Sequence, residues 1–319
     1  MIVDSEITEL DLSCKGLVSL DNYAFQKLAN LEKLWLNENN ISYLYEHTFA
    51  GLIKLEKLYL FYNKIHSLPK DIFRPLSNLK RLELSMNKVT ELDENIFESN
   101  RSLEKVSLDF NELHQLPENL FRNLSNLHTL VLSSNNLISL PDKIFEPLHC
   151  LRFLSLSFNS LSSLSVNLFS RQHSQLEELR LDNNPFKVID LTAVQYTPKL
   201  KKIDVLYCTG LEKITLKPVE NQKELLELPE AIIDFSATSL TQPPPVIIAR
   251  GIRAIVDYYS PEKTIFSSLT EIRLSFGITG PEVKVDRCVL CKKEIFEKDR
   301  NVCKECESFY DDNPFALGV

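Results

Sequence analysis

Asparagines spaced 24 residues apart, at Asn39, Asn63, Asn87, Asn111, Asn135 and Asn159, constrain this chain more than any other feature. Phenylalanine keeps the same beat at Phe25, Phe49, Phe73, Phe97, Phe121, Phe145 and Phe169. Around each Asn the apolar residues recur in one order. Leu31, Leu34, Leu36, Asn39 and Ile41 are followed by Leu55, Leu58, Leu60, Asn63 and Ile65, and the series runs on to Leu151, Leu154, Leu156, Asn159 and Leu161. An eighth unit (Leu176, Leu179, Leu181, Asn184) arrives one residue late. A first unit (Ile7, Leu10, Leu12) has Lys15 at the asparagine place, and a ninth (Leu200, Ile203, Val205) has Cys208 there. Self-similarity at a fixed period means stacked units, none of which buries its apolar face alone.

The pattern has a physical reading. In L-x-x-L-x-L the last two apolar residues are two apart and so share one face of a short strand. The Asn then turns the chain, its amide bonding backbone groups that the bend leaves unpaired. Phe and the Leu after it (Phe49 with Leu52, Phe73 with Leu76) fill the core under the return segment. Stacked units therefore make a curved parallel sheet with short helical or irregular convex segments, an α/β repeat. At about 4.8 Å per strand, nine units trace a concave arc of order 40 Å. Over residues 5–215 the pattern resembles the leucine-rich-repeat family, a resemblance that implies a solenoid and a protein-binding role but no particular partner.

The x positions of the strands form the presented surface. Trp35, the sole Trp, and Tyr59 hold the same place on adjacent strands, with Phe61 and Tyr62 beside them and Arg81 next in line. Exposed aromatics rimmed by Lys, Arg and Glu suit a protein-binding hot spot. Phe153 and Phe158 reopen an aromatic surface after a bland sixth unit (His128, Thr129, Val131), followed by Arg180 and Asp182 in the eighth. For Tyr62, Phe110 and Phe158, just before the Asn, packing over the turn is the first reading and partner contact the second. The expected contacts are Trp35, Tyr59, Phe61, Tyr62, Arg81, Phe110, Phe153 and Arg180. The Glu-Lys pairs at 32–33, 56–57 and 104–105 read as a solvated face.

Residues 216–260 form a second region. A polar insertion, Lys217 to Glu224, precedes a degenerate unit from Ile233 to Leu240, with Thr238 at the asparagine place. Pro243, Pro244 and Pro245 then stop the ladder. The spacing of Val246, Ile247, Ile255, Val256 and Tyr259 suits an amphipathic helix, weakened by Gly251. This resembles the proline cluster and capping helix that end the repeats of many intracellular leucine-rich-repeat proteins, Roco-type proteins among them. Residues 261–319 are a tail. Leu269 to Leu274 shows strand alternation, either as an isolated eleventh unit or as a strand pairing with the tail.

The tail carries Cys288-x-x-Cys291 and Cys303-x-x-Cys306, separated by 11 residues. Such spacing lets four thiolates hold one tetrahedral zinc, closed to catalysis, and it resembles a zinc-ribbon or zinc-knuckle module. Redox thiols, disulfides or free cysteines are the alternatives. Cys14, Cys150 and Cys208 are expected to be buried.

Composition excludes other classes. The chain has 319 residues, with 36 Lys+Arg against 44 Asp+Glu and a net charge of −8, so it lacks the basic footprint of a nucleic-acid binder. Its seven glycines form no phosphate-binding loop. No apolar run approaches the roughly 18 residues of a membrane span, and residues 1–6 do not read as a signal peptide. The six histidines are scattered, without a partnered nucleophile. The expectation is a non-catalytic, cytoplasmic scaffold or adaptor in signal transduction that binds a protein on its concave face. An extracellular receptor-type ectodomain is the alternative, and oligomeric state is not legible.

Overall fold

The computed structural model describes residues 6–169, 175–194, 197–216, 231–259, 286–287 and 294–295. Each repeat contributes one three-residue strand: β1 (Glu9–Asp11), β2 (Lys33–Trp35), β3 (Lys57–Tyr59), β4 (Arg81–Glu83), β5 (Lys105–Ser107), β6 (Thr129–Val131), β7 (Phe153–Ser155) and β8 (Glu178–Arg180). β9 (Val188–Asp190) leaves that line, and β10 (Lys202–Asp204) resumes it. β11 (Lys213–Thr215) pairs with β9 in a second parallel ladder, while β12 (Ile232–Asp234) closes the main sheet. Among the described residues that sheet has ten strands, in the order β1 to β8, β10, β12. Every pairing in it is parallel and in register, so Leu34, Leu58, Leu82, Val106, Leu130 and Leu154 form one column. The degenerate unit around Ile233 thus supplies a genuine strand, with Ile203 opposite Ile233.

The core is a continuous column. The central strand residue of β2 to β8 is buried throughout, as are Phe49, Phe73, Phe97, Phe121 and Phe145. The phenylalanine rings stack in two runs, Phe25 to Phe97 and Phe121 to Phe169, with Phe25 on Phe49 at 6.2 Å and Phe145 on Phe169 at 5.9 Å between centroids. Ile7, Leu10 and Leu12 of the first unit stay half-buried against this core.

The asparagine amides link neighbouring repeats. Asn63 Nδ2 donates to Leu36 O of the preceding turn (2.9 Å) and to Leu60 O of its own (3.1 Å), while its Oδ1 accepts from Ile41 N (3.0 Å). Asn184, one residue late, keeps the same bonds to Leu156 O, Leu181 O and Leu161 N. The extra residue of that repeat is therefore absorbed in its return segment. At the ninth position the fully buried Cys208 substitutes its thiol, Sγ lying 3.5 Å from Leu181 O.

One residue per repeat, immediately before the asparagine place, adopts positive φ: Cys14, Glu38, Tyr62, Met86, Phe110, Ser134, Phe158, Asn183, Tyr207 and Ala237, all between 53° and 59°. The reason is a second ladder, in which the N–H of each from Cys14 to Tyr207 donates to a carbonyl of the next repeat, as Tyr62 N does to Ser85 O and Phe110 N to Ser133 O, both at 3.0 Å. An L-residue in this region costs roughly 1–2 kcal/mol. Glycine would avoid that cost, yet none of these ten positions holds glycine.

The single amphipathic helix expected near 246–259 is two helices, α1 (Pro245–Ile248) and α2 (Ile252–Tyr259). Gly251 at φ +85° separates them. A Cβ there would lie 3.0 Å from Ala231 O, so a side chain would strain the contact between the helices and the last strand. Val246, Ile247, Ile248, Ile252 and Ile255 are buried against the core, and Tyr259 Oη donates to Ile214 O at 2.7 Å. Burial raises the Tyr259 phenol above its usual range.

The three isolated cysteines do not share one fate. Cys208 is buried, but Cys150 is half-exposed and Cys14 exposed, which corrects the expectation of burial for both. Cys14 occupies the left-handed turn position, whose side chain leaves the core. Its thiol donates to Glu38 Oε2 at 3.4 Å, and that bond holds its pKa above the ordinary value. The insertion at Lys217–Glu224, the alternating segment Leu269–Leu274 and the four tail cysteines lie outside the described residues. Two short strands of the tail are described, β13 (Asp286–Arg287) and β14 (Glu294–Ile295), paired antiparallel. Among the described residues no helix is long and apolar enough to cross a membrane.

Candidate protein-docking surface

Because the central residue of each strand points inward, its two neighbours point outward, and the parallel register lines them up across the sheet. One column reads Lys33, Lys57, Arg81, Lys105, Thr129, Phe153. The next reads Trp35, Tyr59, Glu83, Ser107, Val131, Ser155. Trp35 and Tyr59 stack almost parallel, with centroids 5.4 Å apart and planes 6° from each other. The Arg81 guanidinium lies 5.6 Å from the centre of the Tyr59 ring, extending the stack into a third repeat.

Arg81 is held in place from its other side. Glu83, only 7% exposed, accepts from Arg81 Nε at 2.6 Å and from Lys105 Nζ at 2.9 Å. At the opposite end Lys33 pairs with Glu9 at 2.5 Å, and that bond raises the lysine's pKa. Trp35, Tyr59 and Arg81 thus form a preorganised apolar and cationic platform. Its side chains have little rotamer freedom left to lose on contact, which favours binding.

A second cluster follows three strands on. Arg180 lies 5.1 Å from the centre of the Phe153 ring and donates to Glu178 Oε1 at 2.7 Å. Between the clusters run hydroxyls: Ser133 and Ser155 bond at 2.6 Å, and Ser157 bonds Asp182. The expected contact residues therefore fall into two groups, one around Tyr59 and one around Phe153.

Phe61 is half-buried beside the first group. Tyr62 and Phe110 belong to the left-handed column and are 60% and 52% exposed, as is Phe158 at 55%. They do not pack over the turn, so the first reading of that column is corrected. The N–H ladder that demands positive φ also swings these side chains into solvent. Met86 and Tyr207, 43% and 59% exposed, hold the same place and were not singled out by sequence. Aligning the repeats would have found them. Glu83 was passed over too, because a Glu in a charged row reads as solvated until its two partners are seen.

Residues 5–65, 53–111 and 101–161 each match the leucine rich repeat family. Residues 5–161 are leucine-rich repeats. The solenoid superposes on a leucine-rich-repeat protein of Leptospira interrogans with a TM-score of 0.56 and 29% identity, over 75% of this chain and 62% of that one. It also resembles a chain in the glycosylated Drosophila Toll–Spatzle complex, with a TM-score of 0.51 and 26% identity over 60% of this chain and 29% of that chain. Sixty-seven residues are 39% identical to the leucine-rich repeat and fibronectin type III domain-containing protein 1 of rat and human, a match covering 21% of this chain and 9% of those relatives. The leucine-rich-repeat solenoid is a protein-interaction module.

Proposed function

We propose that the chain is a non-catalytic intracellular adaptor that captures a protein partner on the concave face of its sheet, centred on Trp35, Tyr59 and Arg81. The observation that carries this reading is the fixed Trp35–Tyr59–Arg81 stack, backed by the buried Glu83. Aromatic and arginine anchors held rigid at the centre of a surface are the residues that dominate protein binding. Affinity capture with the Trp35→Ala/Tyr59→Ala chain should lose the partner that the unaltered chain recovers, with circular dichroism unchanged. Equal recovery would refute the assignment.

In this reading the tail is stapled by one structural zinc on Cys288, Cys291, Cys303 and Cys306. The donor set suits it: four thiolates saturate a tetrahedral ion and leave no open position. The antiparallel β13–β14 pair supports it, since the two strands bracket the first cysteine pair in sequence. Metal analysis of the purified chain should return one zinc; none would refute the site.

A second reading, an extracellular recognition ectodomain, is favoured by the Toll likeness. Of the three Asn-x-Ser triplets, at Asn40, Asn100 and Asn123, the first two separate the readings. Asn40 is exposed, whereas Asn100 is fully buried and donates to Phe73 O and Leu76 O at 2.9 and 2.8 Å. A chain matured in the secretory pathway should carry glycan at Asn40 and none at Asn100. Protein purified from its native cell without glycan at Asn40 favours the adaptor.

A further inference from the structure

The left-handed column places Tyr62, Met86 and Phe110 in three successive repeats as an exposed apolar ridge along the C-terminal edge of the strands. Each side chain occupies a conformation that disfavours it, and none recovers the cost by burial. Glycine or asparagine at these places would serve the fold better. Phe158 and Tyr207 continue the line beyond Ser134 and Asn183.

We infer that this ridge docks an amphipathic helix with an acidic flank, lying across the repeats. This rests on the reading of the sheet as a protein-docking face and names what it takes. The first argument is pitch. Successive ridge residues are one strand step apart, about 4.8 Å, close to the roughly 5.4 Å turn of a helix. Apolar residues on one helical stripe therefore meet Tyr62, Met86 and Phe110 turn by turn. Phe61 and Tyr59 continue the apolar surface on the sheet side.

The second argument is charge. Two positions after Tyr62 and Met86 stand Lys64 and Lys88, both exposed and without an ion-pair partner among the described residues. The lysines and arginines of the neighbouring sheet columns are mostly neutralised by Glu9, Glu56 and Glu83. Glu112 follows Phe110 in the Lys64 column, so the complementary helix has acids over the third and fourth repeats and a base over the fifth. That order also suits the helix dipole if the helix runs in the direction of the repeats.

Two synthetic helices of about 18 residues test this with the full chain. Both carry leucines at successive turns; one has a glutamate flank and the other a lysine flank. Titration calorimetry at low salt should show the acidic helix binding at least about tenfold tighter. Lys64→Glu/Lys88→Glu should reverse the preference. Tyr62→Asn/Phe110→Asn, which tolerates the backbone conformation, should abolish binding of both. Equal affinities, failure of both helices to bind, or binding that survives the asparagine variant would each overturn the proposal. Partner capture by the same asparagine variant separates the two readings. Loss of partner with Trp35→Ala/Tyr59→Ala while the asparagine variant retains it leaves the docking face standing and refutes the helix on the ridge.

Discussion

Replacing Asn111 with alanine tests the ladder that joins the repeats. Its Nδ2 donates to Leu84 O and Leu108 O, both at 3.0 Å, and its Oδ1 accepts from Val89 N at 3.0 Å. The residue is 7% exposed, in the middle of the sheet. Alanine leaves the Val89 N–H without its acceptor, while Leu84 O and Leu108 O keep the amides of Asn87 and Asn135. An orphaned buried group costs about 1–3 kcal/mol. With one such group orphaned, the loss should be about 1–3 kcal/mol. That is a large share of the roughly 5–15 kcal/mol that holds a domain folded. Urea titration followed by circular dichroism, with hydrogen exchange at Val89, measures it. Asn123→Ala is the control, since its amide makes a single bond, to Glu98 O at 3.0 Å, on the return segment. Asn111→Asp sharpens the test. A carboxylate can still accept from Val89 but turns its second oxygen toward two carbonyls, so its folded-state pKa rises. Its stability should be lowest at neutral pH and recover as pH falls and the acid gains a donor. A loss below about 1 kcal/mol for Asn111→Ala, equal to the control, would refute the reasoning.

Gly51→Ala should be severely destabilising, because its Cβ would stand 2.6 Å from Gln26 O at φ +91°, and thermal melting will report it. Alkaline titration by ultraviolet absorbance should find Tyr259 ionising above the usual phenol value near 10.0. Its folded pKa is raised, so the contribution of its bond to Ile214 O is fully present below the usual value near 10.0 and lost as pH climbs through the higher one. Peptide-resolved alkylation should label Cys14 and spare Cys208. Glu38→Ala should speed labelling of Cys14 near pH 8, because removing the acceptor lowers a raised thiol pKa.

Much of the solenoid was legible because its period is enforced locally. The Leu, Phe and Asn positions each have one physical role that repeats in nearly every unit, and the one extra residue, ahead of Asn184, leaves the bonds of that role intact. The adjacency of Trp35 and Tyr59 was legible for the same reason, since equal places in successive repeats become neighbours in a parallel sheet; that their rings stack was not. Cys208 shows the limit: its place was clear, but not that a thiol could stand where an amide donates.

The 24-residue beat by itself determined a stacked parallel sheet, its buried columns and the order of residues across its presented face. Tertiary structure alone decided which presented residues lose their freedom and which gain exposure. Glu83 becomes a buried clamp only because Arg81 and Lys105 converge on it from adjacent strands. Tyr62, Met86 and Phe110 become a ridge only because inter-repeat N–H bonds hold their backbones left-handed. Residue type carries neither fact. Both arise from contacts between turns, where the geometry of one repeat sets the conformation of the next.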